Sequence, residues 1–339
     1  MRSYVIVLNW NGWKDTIECL ESVFRLDYPD LRVVVCDNAS EDGSFQKINQ
    51  WARGELLAES FNKSLSRLSA PAIPKPIPVQ ELTRHQAESG AATYRSRLVL
   101  IQTGANVGFA AGNNVGLRYA LGDPESAFFW LLNNDVVVET GSLAAMVKLM
   151  DEMPDIGICG SLNISYHHPD EVQVQGGRLY TRWTGRVKTP PSLKVGKLTS
   201  CPARMDFVNG ASMLASRAFL EQVGLMEESY FLYFEELDWA MRARGKFKLG
   251  YSRESVIYHK EGAAIGTNRD RMKRSLLSEK YLSRNRIIFT KWFFPWALPS
   301  VFASTFLAAL HRLCHGDWER ARVIVIWSLR GLFFRKREE

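Results

Sequence analysis

The sequence lacks the spacings that mark the common metal and disulfide frameworks. Its five cysteines (Cys19, Cys36, Cys159, Cys201 and Cys314) are scattered, with no Cys-x-x-Cys pair. That removes zinc-ribbon and disulfide-scaffold readings and leaves reduced cytosolic thiols. The Gly-x-Gly-x-x-Gly fingerprint of dinucleotide sites is absent too, because the glycines at 104, 108 and 112 recur at another interval. The apolar run in Met1–Leu8 is too short for a secretory leader and is expected to form a first strand. Residues 1–268 have no basic excess and carry a net −2. The chain's overall +7 comes from residues 269–339, with fifteen basic against six acidic side chains. A basic tail implies a polyanionic neighbour. Trp292-Phe-Phe-Pro-Trp296 and the apolar runs around it favour a membrane surface over nucleic acid.

What is present is an alternation of buried strands and helices. Ser3–Leu8, Leu31–Cys36, Leu98–Gln102, Phe128–Leu132 and Ile156–Cys159 are near-continuous apolar runs, as strands covered on both faces require. Helical spacing separates them at Trp13–Phe24, Ser44–Trp51, up to about Leu121, and Thr140–Met153. The expected class is α/β with a mostly parallel sheet and right-handed crossovers. Polar clusters close successive strands: Asn9–Gly12, Asp37–Gly43, Asn106–Asn113 and Asn133–Asp135. Each is also good turn chemistry, but open parallel sheets bind ligands where strands end. Four clusters on one edge therefore predict a binding site, with Asp135 a candidate for handling metal or phosphate. Arg53–Arg97, centred on Ala70-Pro-Ala-Ile-Pro-Lys-Pro-Ile-Pro78, is expected as an irregular, extended insertion open to motion.

In the second half, Met205–Ser216 reads as a strand broken at Asn209-Gly210, followed by a helix capped by Ser216. Tyr230–Phe234 is mostly aromatic and leads into Glu235, Glu236 and Asp238, which open a helix ending at Gly245. Acids in a first turn complement the helix dipole. The same acids beside aromatics would also have raised pKa values suited to proton abstraction. Lys248–Ser252 and Ser255–Tyr258 are expected as short strands. His259 follows closely enough to share the acidic helix's site, though a lone histidine is commonly structural.

These motifs, in this order, resemble family-two inverting glycosyltransferases of the GT-A fold, nearest the rhamnosyltransferase-like branch. The matching pieces are Val-Leu-Asn-Trp-Asn-Gly, Val-Cys-Asp-Asn-Ala-Ser-Glu-Asp-Gly-Ser, Asn-Val-Gly-Phe-Ala-Ala-Gly-Asn-Asn, Leu-Leu-Asn-Asn-Asp, Asn-Gly-Ala-Ser-Met-Leu and Phe-Glu-Glu-Leu-Asp-Trp with a downstream His. The resemblance implies a nucleotide-sugar donor held by Asn9, Asn11, Asp37, Asn38, Asp42, Asn106, Gly108, Phe109, Asn113, Asn133 and Asn134. It implies a divalent metal, Mg2+ or Mn2+, on Asp135 and His259. Glu236 matches the catalytic base, with Glu235 and Asp238 flanking it, and Asn209, Gly210 and Trp239 would meet the acceptor. Three departures stand out: Asn133 replaces the first acid of Asp-x-Asp, the base position carries Glu rather than Asp, and the Arg53–Arg97 insertion is longer than the resemblance leads one to expect.

The resemblance covers about Ser3–Gly266, implying a GT-A catalytic domain over 1–266 and a helical tail over 267–339. In the tail, Met272 to about Phe294 is expected as helix, and Tyr281, Arg284 and Asn285 resemble a segment that follows the catalytic domain in this branch. Trp292–Leu310 is 19 residues without a charge, but Pro295 and Pro299 interrupt it. Ala321–Phe334 is a second apolar stretch, broken by arginines. Helices lying in the membrane interface are favoured over a spanning one. Packing on the catalytic domain or in a homodimer is the alternative. The resulting expectation is a cytoplasmic enzyme, peripheral on the inner face of the membrane, with a glycan or lipid-linked acceptor and rhamnose the first donor sugar. The competing readings are an inactive sugar-nucleotide-binding scaffold and a nucleotidyltransferase. The latter would want a glycine-rich basic phosphate loop that Asn9–Trp13 does not provide.

Overall fold

The computed structural model describes residues 1–90, 94–188, 193–198, 204–261 and 275–335. Cys201 and the expected domain boundary at 266 lie outside them. The first part of the chain runs β1 (Arg2–Asn9), α1 (Trp13–Val23), β2 (Leu31–Asp37), α2 (Ser44–Arg53), β3 (Val79–Thr83), α3 (Arg84–Glu88), β4 (Leu98–Gln102), α4 (Gly108–Leu121), β5 (Ser126–Asn133), β6 (Val136–Val138), α5 (Ser142–Glu152) and β7 (Ile156–Ser165). Then come β8 (Glu171–Gln175), β9 (Gly177–Thr181), β10 (Arg186–Lys188), β11 (Leu193–Lys194), β12 (Phe207–Val208), β13 (Ser212–Ser216), α6 (Arg217–Val223), α7 (Glu235–Arg242) and β14 (Lys248–His259). The tail is α8 (Leu276–Phe293), α9 (Leu298–Cys314) and α10 (Trp318–Phe333).

The main sheet runs β11-β8-β7-β13-β5-β1-β2-β4-β3, with β14 pairing β7 and β6. Strands β5, β1, β2, β4 and β3 are parallel; β13 is antiparallel between β5 and β7. Alternate residues of the parallel strands face two separate cores. Val5, Val7, Val33, Val35 and Trp130 pack with Ile17, Leu20, Ile48, Trp51 and Leu143 of α1, α2 and α5. Tyr4, Ile6, Val34, Phe129 and Leu131 pack with Val115 and Tyr119 of α4, Phe219 of α6 and Trp239 of α7. The result is a three-layer α/β fold in which all parallel strand ends are presented at one open edge.

The structure revises the expected strand plan in three places. The Arg53–Arg97 insertion is not wholly irregular. It supplies β3, which extends the sheet beside β4 in the register Val79↔Leu98, and α3, capped by a reciprocal Thr83–Gln86 pair. Its proline segment is anchored rather than loose. The buried Glu21 carboxylate accepts from Lys75 Nζ (2.9 Å), Ile73 N (2.9 Å) and Trp51 Nε1 (2.9 Å). Burial works against that charge, yet these donors and Arg25 hold the Glu21 pKa below its ordinary value. Strand β7 is ten residues long rather than four, continuing through Gly160, Ser161 and Asn163. The two strands expected at 248–258 are one, β14, with a register shift between Ser252 and Val256.

The tail is not a detached appendage. Ile287, Ile288 and Phe289 of α8 share a buried cluster with Tyr230, Phe234 and Leu237 around α7. Helix α10 approaches α8 so closely that a Cβ on Gly331 would lie 2.5 Å from Arg284 O. Among the described residues one helical segment, Pro295–Cys314, is long and apolar enough to cross a membrane.

Candidate active site

Strand register assembles the first half of the site. Asn9 lies opposite Asp37, Leu8 opposite Asn133, and Asp37 opposite Gln102. The polar ends of β1, β2, β4 and β5 therefore converge on one edge. Side chains there lock to each other. Asn9 Nδ2 donates to Asp37 Oδ1 (2.7 Å) and Ser40 Oγ (3.0 Å), and Ser40 Oγ donates to Asp37 Oδ1 (2.6 Å). Asn38 Nδ2 donates to Asn106 Oδ1 (3.0 Å) and Gly108 O (3.3 Å), while its Oδ1 accepts from Val107 N (3.2 Å). Asn11 Oδ1 accepts from Glu41 N (2.8 Å). The effect is a stiff rim with the N-terminus of α4 fixed to it, suited to an anionic ligand.

Asp135 and His259 meet because β14 pairs antiparallel with β6, setting His259 opposite Val136. The Asp135 Oδ1–His259 Nε2 distance is 3.3 Å. Gln173 fixes the imidazole. Its Nε2 donates to His259 O (3.0 Å), which turns Oε1 toward Nδ1 at 3.2 Å. An amide oxygen only accepts, so Nδ1 carries a proton and Nε2 is left facing the carboxylate. Burial opposes charging His259, but the Asp135 carboxylate prevails and raises its pKa. A carboxylate oxygen and an imidazole nitrogen at this spacing favour a cation, either a proton or a metal, between them. Among the described residues no three acidic, histidine or cysteine groups form a complete metal cage. The pair fits a divalent ion that takes its remaining ligands from a bound substrate and water.

The second half of the site hangs on α7. Glu235 and Asp238 are buried, and only Glu236 of the three acids is half-exposed. Asp238 is engaged on both oxygens, by Arg242 Nε (2.6 Å) and Tyr230 Oη (3.1 Å). Burial raises all three pKa values. The Glu236 charge adds to the rise at Glu235, whereas Arg178 moderates that of Glu236 and Arg242 that of Asp238. Gly210 makes room for the Glu236 carboxylate: a Cβ there would lie 2.2 Å from Oε1. The same turn is held by Asn209, whose Oδ1 accepts from Asn163 Nδ2 (3.0 Å). It abuts the sheet edge through Asn133 N→Ala211 O (3.1 Å). A short chain of contacts thus links Glu236 to the Asn133–Asp135 turn.

Before α7 the backbone adopts positive φ at Phe231 (66°), Tyr233 (67°) and Phe234 (79°). Side chains at positive φ are strained by contact of Cβ with the following carbonyl, at about 1 kcal/mol or more each. Contacts from both sides impose the conformation. Phe109 N donates to Phe231 O (2.6 Å), and a Cβ on Gly108 (φ 86°) would lie 2.3 Å from that same oxygen. From the tail, Asn285 Nδ2 donates to Tyr230 O (2.8 Å), Leu232 O (2.8 Å) and Tyr233 O (3.1 Å). Arg284 Nη1 donates to Ser229 O (2.9 Å), and Tyr281 stacks on Phe231 with centroids 4.6 Å apart.

Several expected site residues are placed elsewhere. Trp239 is fully buried against Phe219, with Nε1 donating to Gly224 O (2.8 Å), so it belongs to the core rather than to an acceptor surface. The Asp42 carboxylate accepts from Ser44 N (3.0 Å) at the start of α2. Asn134 turns back to Thr16 Oγ1 (3.1 Å), and Asn113 is buried with Nδ2 on Phe109 O (3.0 Å). These three brace the rim. Gln173 carried no motif. Asn285 sat in a recognisable segment but without a role, because its partners are main-chain carbonyls more than fifty residues earlier.

A family model described as glycosyl transferase family 2 matches residues 4–67 and 80–209, more than half of the chain. The chain belongs to glycosyl transferase family 2. The unmatched stretch inside the match is the proline segment of the insertion. A curated relative, the low-salt glycan biosynthesis hexosyltransferase Agl10 of Haloferax volcanii, is 24% identical over 156 residues, 42% of this chain. That alignment spans 45% of the relative's length. The fold is similar to that of mannosyltransferase PcManGT from Pyrobaculum calidifontis, solved with GDP-Man and Mn2+. The TM-score there is 0.52 at 16% identity, covering 99% of this chain and 88% of that one. GalNAc-T7, solved with UDP, GalNAc and Mn2+, gives a TM-score of 0.55 at 13% identity, covering 86% of this chain and 48% of that one. At these identities the likeness is one of fold.

Proposed function

We propose that this family-2 glycosyl transferase moves a sugar from a nucleotide-diphosphate donor to a hydroxyl of a glycan or lipid-linked acceptor, with inversion. Glu236 is the general base. The observation that carries this assignment is exposure: of the three acids opening α7, Glu236 alone reaches solvent, with burial raising its pKa toward the range a base needs. Its carboxylate takes the acceptor hydroxyl's proton. The acceptor oxygen bonds to the anomeric carbon as the bond to the leaving diphosphate breaks, and the electron pair departs with the diphosphate. Asp238 holds Tyr230 and Arg242 and acts as a positioning residue.

The rim formed by Asn9, Asp37, Asn38 and Asn106, with the N-terminus of α4 at Gly108–Phe109, orients the donor. Asp135 and His259 would hold a divalent ion, Mg2+ or Mn2+. Such an ion, when bound, offsets charge on the diphosphate. Rhamnose is the sugar to test first, on the motif resemblance. The basic, partly apolar tail helices support a peripheral position on the cytoplasmic membrane face, where a lipid-linked acceptor would reside. Glu236→Gln tests the mechanism. Transfer should fall by about 10²–10⁴-fold, as for loss of a general base, while donor binding persists. Equal turnover in that variant would sink the assignment.

A further inference from the structure

Strand β9 begins with Gly177-Arg178, whose guanidinium charge acts on Glu236, and ends in a second, differently built cleft of about 280 Å3. Its lining includes Tyr180, Arg182, Trp183, Lys188, Arg204 and Asp206, three cations against one acid. Asp206 is already engaged by Tyr180 N (2.8 Å), Arg204 (3.3 Å) and Arg244 (3.6 Å). Burial, aided by the neighbouring Arg182 and Arg204 charges, pulls the Arg244 guanidinium below its ordinary value despite Asp206. A cleft with this excess of fixed positive charge favours an anion.

The surroundings are amphipathic. Trp183 (61% exposed) and Trp296 (54% exposed) meet edge to face at 4.8 Å beside the cleft. Trp296 leads into α9, whose Phe306, Leu307 and Leu310 are exposed. Paired aromatics next to cations, continuous with an exposed apolar helix face, match the headgroup level of a membrane. The distance to the chemistry is short. Helix α7 rises about 1.5 Å per residue, so its Arg242 end lies roughly 10 Å from Glu236. The four steps from Arg178 through the end of β9 to Arg182 span at most about 13 Å.

We propose that this cleft binds the phosphate or diphosphate of a lipid-linked acceptor, holding the lipid at the membrane while its sugar hydroxyl reaches Glu236. The inference rests on the transferase reading above and adds where the acceptor's anionic group sits. Arg182 and Arg204 contact the phosphate, Lys188 adds charge, and Trp183 and Trp296 seat the headgroup region.

The test uses the full chain and three vesicle types: phosphatidylcholine alone, with polyprenyl phosphate, and with phosphatidylglycerol at equal charge. The wild type should sediment most with polyprenyl phosphate, and soluble pyrophosphate should compete. Removing one basic contact near a membrane surface costs about fivefold in binding. Arg182→Gln with Arg204→Gln should therefore lose more than tenfold on those vesicles. Lys148→Gln, exposed on α5 of the α/β core, should stay within about twofold. If the double variant loses its thermal transition, Lys188→Gln and Trp183→Ala, both at exposed side chains, replace it, with about fivefold expected for the lysine. Wild-type binding in the cleft variants overturns the proposal. Equal binding to phosphatidylglycerol vesicles, without pyrophosphate competition, also overturns it in favour of bulk anionic lipid. Wild-type donor hydrolysis is measured in parallel. Its absence, with cleft-dependent vesicle binding intact, would count against the transferase reading and leave the anion site standing.

Discussion

Replacing Asn285 by alanine should disarm the enzyme from a helix that lies outside the family match. The Asn285 side chain is fully buried and donates to three carbonyls of the turn before α7. Its two amide hydrogens serve all three, so one is shared. Each buried carbonyl left unsatisfied costs about 1–3 kcal/mol. Against this, the three positive-φ residues store about 1 kcal/mol or more each. The two quantities are comparable, so without Asn285 the turn has little reason to keep its shape and will relax. Relaxation returns part of the loss, leaving a net destabilisation of about 2–3 kcal/mol. For a chain of this size that lowers Tm by roughly 3–4 °C. The larger effect falls on Glu236, which starts the helix that the turn aims. A displacement of about 1 Å costs on the order of 10²-fold in rate, so kcat should drop by that order while donor KM changes little. Steady-state kinetics with a thermal scan read both quantities. Asn285→Asp sharpens the test: it keeps the shape, cannot donate when ionised, and should be no better than alanine. If either variant loses Tm but keeps full kcat, Asn285 is merely structural and the positioning argument fails.

Other consequences follow from the same geometry. Gly210→Ala places a Cβ 2.2 Å from Glu236 Oε1. The carboxylate can swing aside at little cost, so Tm should barely move while kcat falls at least about tenfold; retained kcat would show that the carboxylate's place is immaterial. Glu235 is buried with its pKa raised well above the ordinary 4.5, so the native state holds more protons than the unfolded one. Its stability contribution is complete below that value and is lost as pH climbs through the window above it. Glu235→Gln, which cannot ionise, should gain on the wild type as pH rises in urea titrations; parallel curves would refute the raised pKa. Mn2+ at about a hundred times its Kd should stabilise the wild type by about 2.7 kcal/mol without donor. His259→Ala should abolish that shift, and Gln173→Ala should weaken metal affinity about 10–100-fold. A shift unchanged in both would remove the ion from Asp135 and His259.

The parallel half of the sheet was legible because its strands are buried on both faces, so Leu31–Cys36, Leu98–Gln102 and Phe128–Leu132 stand out as apolar runs ending in polar clusters. Strand β3 was not legible: Val79–Thr83 is a half-exposed edge with polar alternation, hidden behind prolines. The full length of β7 was masked by Gly160, Ser161 and Asn163. Gly157 and Gly160 are small for a packing reason, since a Cβ would lie 2.4 Å from the Phe219 ring and 2.5 Å from Gly176 O respectively. Among the acids of α7 the motif could not say which one faces solvent; that depends on how α7 sits against Gly210 and α8. Trp239 entered the site through the motif resemblance, yet its place on the helix turns it inward. Gln173 left no local signal and Asn285 only a segment resemblance without a role, because an amide bonded to distant main-chain groups resembles any surface amide until the chain folds.

The strained turn before α7 also bears on how this enzyme can be recombined. The family match ends at residue 209, yet the groups that shape the turn come from Gly108–Phe109 on one side and Tyr281, Arg284 and Asn285 on the other. A chimera that exchanges only the matched α/β core would separate the polar rim at the sheet edge from the helix that holds the turn before Glu236. Such a graft should fold around its sheet and still be idle. The smallest transplantable unit is therefore the core together with α7 and α8, and shuffling at residue 209 would split a single working part.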